Sequence, residues 1–495
     1  MINTKSIIMQ RLRIKKYAAI LLLFLAGTSC KKILDLQPHD STFTEAYFQT
    51  GTDANTAIAG AYALLRNVLL NNYSWHVYGD LPSGEYNVNG GYDAFNAPIC
   101  SGQFIGLNVG PWEWNWQNYY QLMQQINLVI DKVPGIPLAN FTDPDLRKQI
   151  VGEAYFLRAY TYFYMSRIWG DVPLKLAPDL DVSQAVNIPR SPAATVLAQC
   201  LADCDTAEND LVFGYTDPTQ AVVRANKGSV LALKAHIQAW EHDYASCEKT
   251  ADTLITQGGY SLLDSAHYNQ VFIGKSAEGI FEINVNYGQS EGIALTGGNN
   301  PGYAPTLAIP FVANQPNVYW PISNPYVNQI YRDTTDIRYA KFFYQAYSNN
   351  GQTIKYANII YADGSAQNDP RLSNNLNIFR LADIILLRAE ALNQLSRDAE
   401  AIPLLDTIKS RAGIAPYTGS GGSQLAIEIL EERLRELFFE GQAYFDLIRT
   451  GQLLNYNPNF SASQYQNGGW LWPIDPAMFQ DDFTLVQTPY WRGKL

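Results

Sequence analysis

The sequence predicts a mostly α-helical protein, built from helix–turn–helix pairs with long irregular loops between them. Three observations carry this expectation. Stretches with helical periodicity recur in pairs that end on glycine. Two of these pairs align with each other without a gap. Two long segments rich in Gly, Asn, Pro, Tyr and Trp interrupt the helical pattern.

Residues 143–169 read as a long amphipathic helix, with Asp143 as N-cap and Pro144 in the first turn. Residues 191–211 read as its successor. Residues 226–241 and 243–257 form a pair closed by Gly258 and Gly259. Residues 376–395 and 398–411 form another, closed by Gly413, and 423–439 with 442–450 a third, closed by Gly451. The stretches "LKAHIQAWEHDYASCEKTADTLI" and "LRAEALNQLSRDAEAIPLLDTIK" align so that Ala235 matches Ala389 and Ala245 matches Ala399. Small residues at fixed helix positions let neighbours approach closely, as in tetratricopeptide-type repeats of about 34 residues. Pro403 lies inside the second of these helices and is expected to kink it. Trp114 and Trp116 open a helix in which Trp116, Tyr120, Met123 and Asn127 share a face, so they read as core.

Scaffold helices are therefore expected within about 50–72, 143–257 and 376–451. Loop-rich regions are expected at about 73–112 and 284–370. Ordered loops of such length are usually functional. Of the 495 residues, 47% are apolar and 16% charged, so the chain can bury a large core. It holds 32 Tyr and 10 Trp against 21 Phe. Such amphipathic rings suit surfaces that meet sugars, peptides or partner proteins, and they also pack between helices.

The start of the chain reads as an export signal. Arg11, Arg13, Lys15 and Lys16 precede an apolar run from Tyr17 to Ala26, then Gly27, Thr28, Ser29 and Cys30. A cysteine after small residues points to a bacterial lipoprotein acylated on Cys30, with 1–29 removed. The spacing departs from the usual lipobox, because Gly27 stands where Leu is preferred. The formal charge is −11. Without the five basic residues of 1–29, 30 basic face 46 acidic residues, a net charge of −16. Such a chain repels phosphate backbones, so no nucleic-acid partner is expected.

The stretch "ILEERLRELFFEGQAYFDLIRTG" raises an enzymatic alternative. It sets Glu432, Glu436, Glu440 and Asp446 among Arg433, Arg435 and Arg449. A glycosidase needs two carboxylates facing each other across a sugar. Glu436 and Glu440, four apart, are expected on one helix face and so cannot flank a substrate, while Glu432 and Glu436 beside Arg435 are expected to give local charge pairs worth a few tenths of a kcal/mol. No His-Glu-x-x-His or Gly-x-Ser-x-Gly is present, and Gly274-Lys275-Ser276 lacks the glycine a phosphate loop needs. Cys100, Cys200, Cys204 and Cys247 have no histidine at metal-site spacing. They are left as free thiols or one long-range disulfide. No enzyme, metal or cofactor is expected, with a structural calcium left open.

Several blocks together resemble the SusD/RagB family of outer-membrane lipoproteins of the Bacteroidota. They are "CKKILDLQP", "EAYFLRAYTYFYMSRIWGDVPL", "FRLADIILLRAEALNQL" and "ERLRELFFEGQAYFDLIRTG", spanning Cys30 to about Gly451. The C-terminus departs from the pattern, with Thr488 where the family usually has Asn. The resemblance implies a SusD-like glycan-binding domain over 30–495. It implies capture of oligosaccharides and their delivery to a SusC-like TonB-dependent barrel, which the lipoprotein covers as a hinged lid. Some relatives bind peptides instead, and a purely structural surface lipoprotein is a further alternative.

For sugar binding, flat aromatic rings stack on C–H faces while Asn, Asp, Gln and Arg take hydroxyls. The candidates are Trp75, Tyr78, Asp80, Glu85, Tyr86, Asn87, Tyr92 and Trp112 in the first loop region. Tyr287, Tyr303, Tyr319 and Trp320 follow in the second. Each could instead pack within its loop or touch the barrel. On this reading, Trp75→Ala or Trp320→Ala weakens glycan retention and leaves the melting temperature unchanged.

Overall fold

The computed structural model describes residues 46–70, 74–105, 114–215, 217–289, 291, 293–295, 304–313, 315–361 and 369–494. The expectations for 1–29, Cys30, Trp112 and Tyr303 lie outside the described residues. The described residues fall into two compact units, 46–48 with 179–185, and all the others. In the small unit, the Leu180 and Ser183 amides donate to Gln184 Oε1 (2.8 Å) and Asp181 Oδ1 (2.7 Å), closing a turn. Everything below concerns the large unit.

The protein is mostly helical, as expected. In chain order its main helices are α1 (Gly51–Leu70), α2 (Gln117–Lys132), α3 (Pro144–Trp169), α4 (Ala193–Asp210) and α5 (Lys227–Trp240). Next come α6 (Tyr244–Gln257), α7 (Leu381–Gln394), α8 (Asp398–Arg411), α9 (Ser423–Glu436) and α10 (Ala443–Arg449). Their starts follow from the sequence. Asp143 caps α3 by accepting from the Asp145 amide (2.9 Å), and Asn226 caps α5 with a reciprocal Asn226–Ser229 pair. From Gly152 onward nearly every side chain of α3 is buried, so it is a central helix rather than an amphipathic surface one. It packs on α4, α2 and α1. Helix α7 packs on α6, α8 and α9, and Leu386, Ala389, Leu392, Ala401, Leu405 and Ile429 form its shared core. Ala235 and Ala389, the matched small residues, are both fully buried.

Two expectations change. Residues 376–380 do not begin a helix. They form a strand, β2 (Leu376–Arg380), antiparallel to β1 (Gly279–Ile283), with Phe281 opposite Phe379. All ten residues are buried, and a two-sided buried site favours Ile and Phe in extended conformation over the helical start their periodicity suggested. The helix expected over 398–411 forms as α8 and runs through Pro403, which lies on its exposed side. Helix α9 stops at Glu436, three residues early, because Phe439 adopts the left-handed conformation (φ 58°).

Cys100, Cys200, Cys204 and Cys247 are all free thiols, the last three buried. Trp116 is buried as expected, edge-on to Trp169. No described helix is long and apolar enough to cross a membrane.

The two loop-rich regions pair with each other. The Asn87 amide donates to Pro321 O (2.9 Å), Asn89 N–H to Tyr319 O (3.0 Å) and Ser323 N–H to Glu85 O (2.8 Å), with Tyr86 bridged to Ile322. A hairpin joins them. Its strands Phe343–Tyr344 and Gln352–Thr353 lie side by side, and Gly351 O accepts from Ile322 N–H (3.1 Å).

Candidate functional site

The paired loops carry a groove of about 940 Å³, large enough for several ligand rings. Its described walls come from Gly84, 86–90, Ala97, 100–101, 321–326, Gln329, 348–349 and 456–459. Among the described residues, no Asp, Glu, Lys, Arg or His lines it, while six asparagines do: Asn87, Asn89, Asn324, Asn349, Asn457 and Asn459. An amide side chain both donates and accepts, as a sugar hydroxyl does. Two side-chain atoms of wall residues have no hydrogen-bond partner among the described residues: the buried Tyr326 hydroxyl and Asn324 Oδ1.

Beside the groove, Tyr92 and Tyr319 stack with ring centroids 5.8 Å apart and planes 9° from parallel. Tyr92 is 50% exposed. The pair is held from both sides, because Asn89 receives the Tyr92 amide on its carbonyl (2.9 Å) and donates its own amide to Tyr319. Of the residues proposed from sequence, Asn87, Tyr92 and Tyr319 lie on this surface, and Tyr86 lines the groove while burying its hydroxyl against Thr353 Oγ1 (2.7 Å). Tyr287 is half-buried elsewhere, beside the short strand Pro370–Leu372, where its amide donates to Ser373 Oγ.

The remaining described candidates are interior. Trp75 and Trp320 are fully buried, and Tyr78 is 2% exposed. Trp75 stacks on Tyr164, Tyr78 sits edge-on to Trp169 and Trp472, and the Trp320 indole N–H donates to Asp93 (2.7 Å). Asp80 accepts the Gly441 amide (2.9 Å) and pairs with His76 (2.6 Å). Glu85 is buried beneath the groove. Burial and the neighbouring Asp80 hold its pKa well above the usual carboxylate range, against the pull of Lys355. These five therefore support the loops and present no face to a ligand. Accordingly, Trp75→Ala and Trp320→Ala are cavity-forming changes that lower the melting temperature, contrary to the sequence-based expectation.

The carboxylates of 429–451 are not a solvated helix face either. Glu432, Glu436 and Arg433 are fully buried. Arg380 binds Glu436 (2.7 Å), Glu440 (2.7 Å) and Glu278 (2.8 Å). Arg338 binds Glu432 (2.6 Å) and Glu436 (3.1 Å), Arg411 binds Glu436 (2.6 Å), and Lys355 binds Glu440 (2.7 Å). Burial alone would raise the Glu436 pKa, but Arg411, Arg380 and Arg338 together hold it well below its usual value. Arg433 pairs with Asp446 at 2.9 Å and so ties α9 to α10. Every carboxylate here is engaged by a guanidinium or ammonium group, which leaves none free to act as acid or base. The network clamps α9 onto β1, β2 and the 336–355 segment.

The comparison with known proteins agrees with this architecture. The SusD family profile matches residues 281–491, and the related profile described as "Starch-binding associating with outer membrane" matches residues 34–238. The chain belongs to the SusD family. It is 28% identical to SusD-like protein P38 of Formosa agariphila, over 86% of this chain and 88% of that one. Among solved structures, a SusD homolog from Bacteroides thetaiotaomicron superposes with a TM-score of 0.77 at 25% identity, covering 90% of this chain and 99% of the other. A laminarin-binding SusD-like protein shares the fold, with a TM-score of 0.69 at 18% identity, covering 89% and 99%. This SusD-family chain is thus a carbohydrate-binding type of protein by family, associated with the outer membrane by the family's description.

Proposed function

We propose that this protein captures neutral oligosaccharides on the surface formed by its two paired loop regions. The observation that carries this reading is a groove rich in asparagine, with no charged side chain among the described residues that line it, beside the stacked Tyr92–Tyr319 pair. Sugar rings stack on the free face of Tyr92 while Asn87, Asn89 and Asn349 exchange hydrogen bonds with hydroxyls. An acidic glycan finds no counter-charge there, and a peptide finds no partner for its termini or charged side chains. Laminarin is the ligand named for one protein of the same fold, and it too is a neutral glucan.

In this reading the protein binds and does not catalyse. It is anchored through lipid on Cys30 and hands its ligand to a SusC-like TonB-dependent barrel in the outer membrane. Cys30→Ser is expected to release it from membranes, and pull-down from outer membranes is expected to bring the barrel with it.

The test of the binding reading uses isothermal titration with laminariheptaose and maltoheptaose. Tyr92→Ala and Tyr319→Ala are each expected to weaken binding of the preferred glucan about tenfold or more, since stacking adds about 0.5–1.5 kcal/mol beyond buried area. Melting temperatures should stay within about a degree of wild type for Tyr92→Ala. Unchanged affinity in both variants refutes the assignment.

A further inference from the structure

The sequence holds three Asn-Gly steps: Asn89–Gly90, Asn350–Gly351 and Asn467–Gly468. At such a step the glycine nitrogen can attack the side-chain carbonyl carbon of the asparagine, because no Cβ blocks the approach. The fold treats the three steps differently. Gly351 N–H donates to Ser348 O (3.2 Å), and Asn350 Oδ1 accepts from the Val318 amide (3.1 Å). Gly468 N–H donates to Tyr465 O (3.1 Å), and Asn467 Nδ2 donates to Ser463 O (2.7 Å). In both, the proton on the attacking nitrogen is engaged and the asparagine side chain is drawn to another partner.

Asn89 is arranged for the reaction. It is exposed on the groove wall. The Gly90 amide donates to none of the described residues. Asn89 Oδ1 accepts from the Gly91 amide (3.0 Å). That hydrogen bond closes a ring of atoms that includes the Gly90 nitrogen, so it holds Cγ close to the nucleophile. Oδ1 is also the atom that takes negative charge when the nitrogen adds to Cγ, and the Gly91 N–H already points at it. The surrounding backbone is fixed: Asn89 donates its amide to Tyr319 O (3.0 Å), and its carbonyl accepts from the Tyr92 (2.9 Å) and Asp93 (2.8 Å) amides. A Cβ on Gly90 would meet only Ala97 Cβ, at an ordinary 3.6 Å, and the Gly90 φ lies outside the left-handed region. Neither packing nor backbone conformation requires glycine there.

We propose that Asn89 is a site of spontaneous deamidation that alters the groove as the protein ages. The Gly90 nitrogen gives up its proton and bonds to Asn89 Cγ. The Cγ–Nδ2 bond breaks, and the amide nitrogen leaves with a proton as ammonia. Water then opens the cyclic imide at either carbonyl, leaving aspartate or isoaspartate, and the new carboxyl ionises at neutral pH. Either product sets a negative charge among the groove's asparagines. Isoaspartate also reroutes the chain through Cβ and Cγ. The carbonyl that held the Tyr92 amide then becomes a free carboxylate, and the Tyr92–Tyr319 stack loses that support. The effect on a ligand rests on the reading of this surface as the glycan site; the modification itself does not.

The experiment ages the full mature chain in mildly alkaline buffer and maps its peptides by mass spectrometry, with isoaspartate scored by enzymatic methylation. In the folded chain Asn89 should convert at least about tenfold faster than Asn350 and Asn467, and in denaturant the three should convert alike. Gly90→Ala should slow the conversion of Asn89 about tenfold, because the added Cβ crowds the attacking nitrogen, without lowering the melting temperature. Binding of laminariheptaose or maltoheptaose should fall with the converted fraction. If Asn89 stays intact while the others convert, or all three convert at one rate in the folded chain, the proposal is overturned whatever the protein binds. If Asn89 converts first and the aged chain binds the heptaose as fresh chain does, the modification stands and the glycan reading of this wall falls.

Discussion

Single residues show how differently buried carboxylates behave in this fold. Glu282 is fully buried and accepts only from the Asn375 side chain and the Lys275 amide, both at 2.8 Å. Burial pushes its pKa from 4.5 to about 7, outweighing those two hydrogen bonds. The fold accommodates the protonated form. Its contribution is therefore full below about pH 4.5 and lost as pH rises through about 7, by up to roughly 3 kcal/mol. Glu282→Gln should flatten this part of the stability profile and raise the melting temperature at pH 8 relative to wild type. A wild-type profile that rises between pH 5 and 8 at this site, or a Gln variant less stable at pH 8, would contradict it. Glu436 has the opposite sign. Its pKa is held down by three arginines, so its contribution is lost as pH falls. The residue types were plain in the sequence, but the sign was not, because it depends on partners 25 to 98 positions away.

At the scale of elements, the family's most recognisable blocks turn out to be joints. Arg158 of "FLRAY" binds Asp203 through two hydrogen bonds of 2.7 Å, tying α3 to α4. Arg380 and Asp383 of "FRLAD" reach Glu440 and Arg433. Gly441 closes the turn between α9 and α10 with φ 71°, and a Cβ there would stand 2.2 Å from the Trp75 ring. Gly441→Ala should therefore cost several kcal/mol, from left-handed strain of about 1–2 kcal/mol and a clash with a buried ring. Thermal unfolding checks this, and a variant as stable as wild type would show that the junction can open. The helices themselves were legible because caps, periodicity and terminal glycines are local signals. The strand at 376–380 was not, since its partner at 279–283 lies about a hundred residues upstream.

Over the whole molecule, the division into helical scaffold and loop-built surface was readable from helical periodicity and from the Gly, Asn, Pro, Tyr and Trp content of the segments between. Which loop residues face solvent was not. Trp75, Tyr78, Asp80, Glu85 and Trp320 have the chemistry of a sugar site, yet they fill the interior beneath it. Nothing local distinguishes them from Tyr92 and Tyr319. The distinction arises when 85–89 pairs with 319–323, a contact between segments more than 200 residues apart. That pairing turns two polar, aromatic loops into one surface with a buried underside. A second cavity, of about 470 Å³, lies among α7, α9 and α10 and is lined by Tyr244, Glu390 and Arg449.

The most direct measurement is a crystal structure of the mature chain soaked with laminariheptaose or maltoheptaose, whichever binds in titration. The account predicts sugar rings over the free face of Tyr92, with hydroxyls bonded to the asparagines of the groove. Sugar seated instead against Tyr244 and Arg449, with the Tyr92–Tyr319 surface bare, would contradict it.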